Sequence, residues 1–213
     1  MLKKMIAVAL LLLFTSPALA ASPMATVQSA VDQILAILRE ANGAEQEHLD
    51  SKFERIREIV NDAFDYEVLS RVTLGRGWRQ LNDSEKAQFV SLYAELIERT
   101  YRNHIVDYTN EEVEYLRESV LTGPQARVPR AEVETRVLAS TGPVTVLYRL
   151  YEEQEVWRIY DIHGEGISLS QNFRSQFEEI LYRDGVEGLL NALRSRVDQL
   201  HTASSEDEGG ENQ

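Results

Sequence analysis

The residue pattern predicts an α+β fold, with helices packed on one face of a curved, mainly antiparallel four-stranded sheet. Three observations carry this reading. Apolar residues recur every three to four positions from residue 24 to 108, they give way to β-branched and aromatic runs from 112 to 162, and the helical period returns from Phe173 onward.

Val27, Val31, Ile34, Leu35 and Leu38 place an amphipathic helix over 24–40, ending near Asn42-Gly43. Ser51-x-x-Glu54 reads as a capping box opening a second helix, striped by Phe53, Ile56, Val60 and Ala63. Phe64-Asp65 breaks that helix, and Asp65 caps a short third one carrying Val68, Leu69 and Val72 before Gly75-Arg76-Gly77 interrupts. A second box, Asn82-x-x-Glu85, opens the longest element, whose stripe runs Phe89, Leu92, Tyr93, Leu96, Ile97, Tyr101, Ile105 and Tyr108.

Strands are predicted over 112–121, 131–139, 143–151 and 156–162, with Gly142-Pro143 turning the second into the third. In the third, Val144, Val146, Tyr148 and Leu150 share one continuously apolar face, and Thr145, Leu147, Arg149 and Tyr151 share a mixed one. Two helices close the chain. Phe173, Phe177, Ile180 and Leu181 stripe one; Val186, Leu189, Leu190, Leu193 and Val197 stripe the other, behind an Asp184-x-x-Glu187 box.

Residues 1–20 read as a cleaved export signal. Lys3 and Lys4 precede an apolar run from Ile6 to Phe14, and Ala18-Leu19-Ala20 supplies the small-x-small cleavage pattern. The run is far shorter than the roughly 20 residues a spanning helix needs. Residues 21–202 then form a single domain, and the charged 203–213 segment, without a large apolar residue, is expected to be a disordered acidic tail. There is no cysteine, so neither lipid attachment at the cleavage point nor a disulfide framework is available.

The chain carries a net charge of −13, and loss of Lys3 and Lys4 with the leader makes it −15. A surface this acidic repels phosphate backbones, which argues against nucleic acid as a partner. It also keeps the protein off anionic membranes at long range, or simply keeps it soluble; charge does not choose between the two.

Catalytic patterns are missing from the sequence. His48, His104, His163 and His201 are scattered, with no His-x-x-x-His pair to suggest a zinc site. No Gly-x-Ser-x-Gly elbow or thiol offers a nucleophile. Gly164-Glu165-Gly166 lacks the third glycine of a dinucleotide fingerprint and reads as a strand-ending bend. Asp161 and His163 share a strand face, but without a third group the pair reads as two solvated side chains at a strand edge. Hydrolytic chemistry has no visible agent, so the chain is expected not to be an enzyme and to need no metal or cofactor.

What remains is apolar surface. The long helix stripe and the Val144 to Leu150 face can fill a solid core or border a cavity, and their residue types alone fit both. Tyrosines suit a pocket rim, since each joins an apolar ring to a polar tip.

A set of landmarks narrows the choice. Phe64-Asp65, Leu74-Gly75-Arg76-x-Trp78, the Tyr93 to Tyr101 helix, Val146-x-Tyr148-Arg149-Leu150, Trp157-Arg158-x-Tyr160-Asp161-Ile162, Glu165-Gly166-Ile167-Ser168-Leu169, Asn172-Phe173-Arg174-Ser175-Gln176-Phe177 and Gly188-Leu189-Leu190 occur in this order. Together with the export signal they resemble the periplasmic phospholipid-carrier family called MlaC, or toluene-tolerance auxiliary proteins, over residues 24 to 198. Two features depart from the pattern: His163-Gly164, where apolar residues usually continue, and the acidic tail.

The resemblance implies a soluble, monomeric periplasmic carrier holding phospholipid acyl chains in a deep apolar cavity between sheet and helices. It implies exchange of that cargo with an inner-membrane ABC transporter bearing MCE-domain subunits and with an outer-membrane lipoprotein-porin complex. The facing stripes then nominate Val72, Trp78, Phe89, Leu92, Leu96 and Tyr101 from the helices, and Val137, Val146, Tyr148, Trp157, Tyr160 and Ile162 from the sheet, as cavity lining. One acyl chain of about 16 carbons represents on the order of 12 kcal/mol of burial before ordering costs, so transfer calls for docking rather than release into water. Arg76, Arg79, Arg149 and Arg158 can each neutralise a phosphate or pair with a carboxylate, and no headgroup ligand is singled out. An exported lipid hydrolase and a chaperone for apolar clients are the alternatives.

Overall fold

The protein is described by a computed structural model covering residues 22–40, 46–106, 111–121 and 128–209, with the side chains of 46–49, 103–106 and 203–209 left aside. The export signal, Asn42-Gly43, Tyr108 and the side chains of His48 and His104 lie outside the described part.

Helix α1 (Pro23–Arg39) starts where Ser22 accepts from the Ala25 amide at 3.1 Å, with Pro23 in the first turn where its missing N–H costs nothing. Its far end is held by cations from α2 (Gln46–Ala63). Lys52 donates to the Glu40 carbonyl at 2.7 Å, and Arg55 grips the Glu40 carboxylate with both terminal nitrogens. Because α2 begins at Gln46, Ser51 lies inside it and the Ser51-x-x-Glu54 box does not mark its start. The polar run before Phe53 carries no stripe, which is why periodicity alone placed the start late.

Asp65 caps α3 (Tyr66–Leu74) through the Val68 amide at 2.8 Å, as expected. A 3₁₀ turn (Gly75–Gln80) leads to α4 (Asp83–Val106), where the Asn82 box closes reciprocally: the Glu85 amide donates to Asn82 at 3.0 Å and the Asn82 amide to Glu85 at 2.7 Å. Gly77 leaves room for Leu181; a Cβ here would come within 2.5 Å of the Leu181 Cδ2.

The sheet is a meander of β1 (Glu112–Leu121), β2 (Arg130–Ala139), β3 (Gly142–Glu153), β4 (Val156–Gly164) and β5 (Ile167–Ser168), antiparallel throughout and paired in that order. It has five strands rather than four. Glu165 and Gly166, both at positive φ, turn the chain back so that two further residues pair with His163 and Gly164. Register shifts at Leu116 in β1 and Tyr160 in β4 strengthen the twist.

The two expected closing helices form one run, α5 (Leu169–Gly209), broken at Gly185, whose φ of 70° and ψ of −170° are open to glycine but not to a helix. At the box position Asp184 accepts from Arg183. The helical backbone is described as far as Gly209, and 210–213 lie outside the described part.

Candidate functional site

The apolar residues form two sets that differ in how tightly they are filled. On the helical side Phe89 and Tyr93 of α4 meet Phe173 and Phe177 of α5 in a ring cluster with centroid separations of 5.2 to 5.6 Å. Edge contacts of this kind add to area burial. The Tyr93 hydroxyl, pushed up in pKa chiefly by burial, finds Thr73 Oγ1 at 3.3 Å, and Thr73 in turn donates to the Leu69 carbonyl.

On the sheet side, register puts Ala131, Leu150 and Ile159 in one row, Val133, Tyr148 and Ile162 in the next, Tyr115, Thr135 and Val146 in the third, and Val113, Val137 and Val144 in the last. The first row is fully buried. In the second, Tyr148 and Ile162 are half-buried; in the third, Tyr115 and Val146; and in the last, all three. This is an apolar ramp, closed at the core and open toward the β2–β3 turn. Thr135 lies within it, wholly buried, its hydroxyl beside the Tyr148 phenol. Burial pushes the Tyr148 phenol up as well. Helix α1 covers one flank: Tyr115 donates to Asp32 at 2.7 Å, and the Met24 amide donates to Glu118 at 2.6 Å.

The twelve nominated residues therefore divide. Phe89, Leu96 and Trp157 belong to the filled core. Tyr160 rides the β4 bulge against the ring of Tyr151, on the face opposite Leu150. Tyr101 is 38% exposed. Val72 is half-buried, its carbonyl accepting from Arg174 at 2.5 Å, and Trp78 sits edge-on to Phe89. Leu92, Val137, Val146, Tyr148 and Ile162 remain as half-buried apolar groups. Val113 and Tyr115 belong with them by register and were missed, although their alternation in β1 was a usable signal.

The family landmarks turn out to be buttresses. The Asp65 amide donates to the Ile159 carbonyl at 2.7 Å, Tyr151 donates to Asp65, and Arg158 donates to the carbonyls of Asn61 and Phe64 at 3.1 and 3.4 Å, so the α2–α3 corner is tied to β3 and β4. Arg149 pairs with Glu132. Asp161 is 1% exposed rather than solvated, and accepts from Ser168 Oγ at 2.7 Å, Ser170 Oγ at 2.9 Å and the Ser170 amide at 3.1 Å, with His163 Nε2 at 3.3 Å. Both hydroxyls serve the carboxylate and not the imidazole, so this is not a nucleophile–base pair; it pins the start of α5 to the sheet.

No group of three or more acidic or histidine side chains among the described residues could hold a metal, and none of their helices is long and apolar enough to cross a membrane. A separate open groove of about 680 Å³ between the 3₁₀ turn and α5 includes none of the twelve nominated residues.

Comparison with known proteins gives a consistent result. A curated relative from Haemophilus influenzae, the intermembrane phospholipid transport system binding protein MlaC, is 23% identical over 186 residues, 84% of this chain and 83% of the relative. The structure of a phospholipid-binding protein from Ralstonia solanacearum, in complex with a phospholipid, superposes with a TM-score of 0.71 at 28% identity, covering 85% of this chain and 99% of that one. The family model described as MlaC protein matches residues 28–195, and the chain belongs to the MlaC family.

Proposed function

We propose that this protein is a periplasmic phospholipid carrier whose acyl-chain site is the sheet ramp of Val137, Val146, Tyr148 and Ile162, flanked by Val113, Tyr115 and Val144. The observation that carries the reading is the fold match, over nearly the whole of the matched chain, to a protein solved with phospholipid. The ramp supports it independently. Apolar side chains left half-buried in a continuous row form a surface that gains from an apolar occupant.

The carrier exchanges lipid with an inner-membrane MCE-domain ABC transporter and an outer-membrane lipoprotein-porin complex, and works as a monomer. It performs no covalent chemistry; lipid moves between apolar enclosures according to binding free energy. Organic extraction of the purified protein followed by mass spectrometry tests this. Intact phospholipid at near-stoichiometric yield is expected. Protein that carries no lipid but binds unfolded porin would instead favour a chaperone, and release of free fatty acid from added phospholipid a hydrolase.

A further inference from the structure

The open groove of about 680 Å³ lies away from the ramp residues, between the 3₁₀ turn and the middle of α5. Leu74 and Leu181, nearly buried, form its floor, and Arg76, Arg174 and Tyr182 rise around it. Tyr182 is 94% exposed, an unusual position for an aromatic ring in so acidic a chain.

The cations here are also unusual. Arg55, Arg57, Arg102 and Arg149 each hold a carboxylate of the same chain. Arg71, Arg76 and Arg79 are exposed and have no such partner among the described residues. Arg174 spends one terminal nitrogen on the Val72 carbonyl, and its Nε is buried without a hydrogen-bond partner among the described residues. Among the described residues lining the groove, Arg76 and Arg174 are the cations and Glu178 is the one carboxylate. A chain with thirteen more acids than bases has left a local surplus of free guanidinium beside an exposed tyrosine.

We propose that this groove docks a short acidic segment of a partner protein, its carboxylates on Arg76 and the arginines beside it and an apolar side chain over Leu74, Leu181 and Tyr182. Arginine and tyrosine are the residues that most often dominate an interface, and the guanidinium fork matches a carboxylate. A broad anionic bilayer would present charge to the whole acidic face and be repelled. A short segment meets only charges within roughly 8 Å, the screening length at physiological salt, where the groove is cationic. The proposal deepens the carrier reading by giving the docked partner a chemistry and a place.

The test replaces Tyr182 with the photo-cross-linker p-benzoylphenylalanine in the full-length protein, irradiates intact cells and sequences the cross-linked peptide by mass spectrometry. A protein segment rich in Asp and Glu is expected, with yield falling on the order of tenfold when Arg76→Glu is added. Cross-links to lipid alone, to segments without acidic residues, no cross-link, or a yield indifferent to Arg76→Glu would each overturn it. Extraction of phospholipid from the same variants separates the two ideas: lipid retained while cross-linking fails removes the docking site and leaves the carrier.

Discussion

The α4–α5 aromatic cluster and the sheet ramp are both apolar and are packed in opposite ways. Phe89, Tyr93, Phe173 and Phe177 surround one another and exclude solvent, whereas Val137, Val146, Tyr148 and Ile162 present an equally apolar surface that their own chain only half covers. One region completes its burial by folding, and the other, as the proposed carrier site, would complete it by binding. The difference lies in what each faces: rings from two helices in the first, and the open end of a strand meander in the second.

Changes in the filled region carry the largest expected effect. Phe89→Ala removes a fully buried ring contacting Tyr93 and Phe177 and should cost about 3 to 5 kcal/mol, read as a lowered urea midpoint. A cost under about 1 kcal/mol would mean that this cluster is also loosely filled. Asp161→Ala comes next. It strands the hydroxyls of Ser168 and Ser170 in a buried corner and should cost about 1 to 3 kcal/mol, and amide exchange at the start of α5 would report the same loosening. Unchanged exchange there would refute the pinning role.

Tyr151→Phe is a smaller cut through the buttress, removing the donor to Asp65 while keeping the ring; about 1 kcal/mol is expected, with lipid content unaffected. Loss of lipid in this variant would place the α2–α3 corner in the site after all.

Alkaline pH probes both regions at once. Burial raises the phenols of Tyr93 in the cluster and Tyr148 on the ramp, and burial with a contribution from Glu98 takes Tyr66 up to about 12. The folded state keeps these protons above the unfolded value of about 10, so the stability they contribute is intact below pH 10 and is lost as pH rises toward the folded values. The urea midpoint should be flat from about pH 8 to 9 and fall from about pH 10 upward. A midpoint unchanged at about pH 11 would contradict the burial of these hydroxyls.

Much of the fold could be read from local chemistry. Asp65 and the Asn82–Glu85 pair cap the helices they were expected to cap, because a cap is a contact between near neighbours. Ser51 has the same spacing inside a helix and caps nothing, and β5 is too short to show a period. The site was only half legible for a related reason. Leu150 and Val146 have the same parity on the same strand and the same chemistry, yet one is sealed and the other half open. Parity is a property of the strand; depth depends on which helices lie above it. Arginines show the same limit, since Arg158 holds helix-end carbonyls and Arg76 has no carboxylate partner among the described residues, a distinction set by the fold.

The most direct test of the account is the bound-phospholipid content of Val146→Trp, measured beside its urea midpoint, with Leu96→Trp as the matched change in the filled core. On the ramp the indole should take the place of lipid, so extracted phospholipid should fall to a small fraction of wild type with a stability change under about 1 kcal/mol, while Leu96→Trp should overpack and cost about 1 to 3 kcal/mol. Full lipid in Val146→Trp together with a sharply lowered midpoint would contradict the account, since Val146 would then be ordinary core and the ramp would not be where the acyl chains lie.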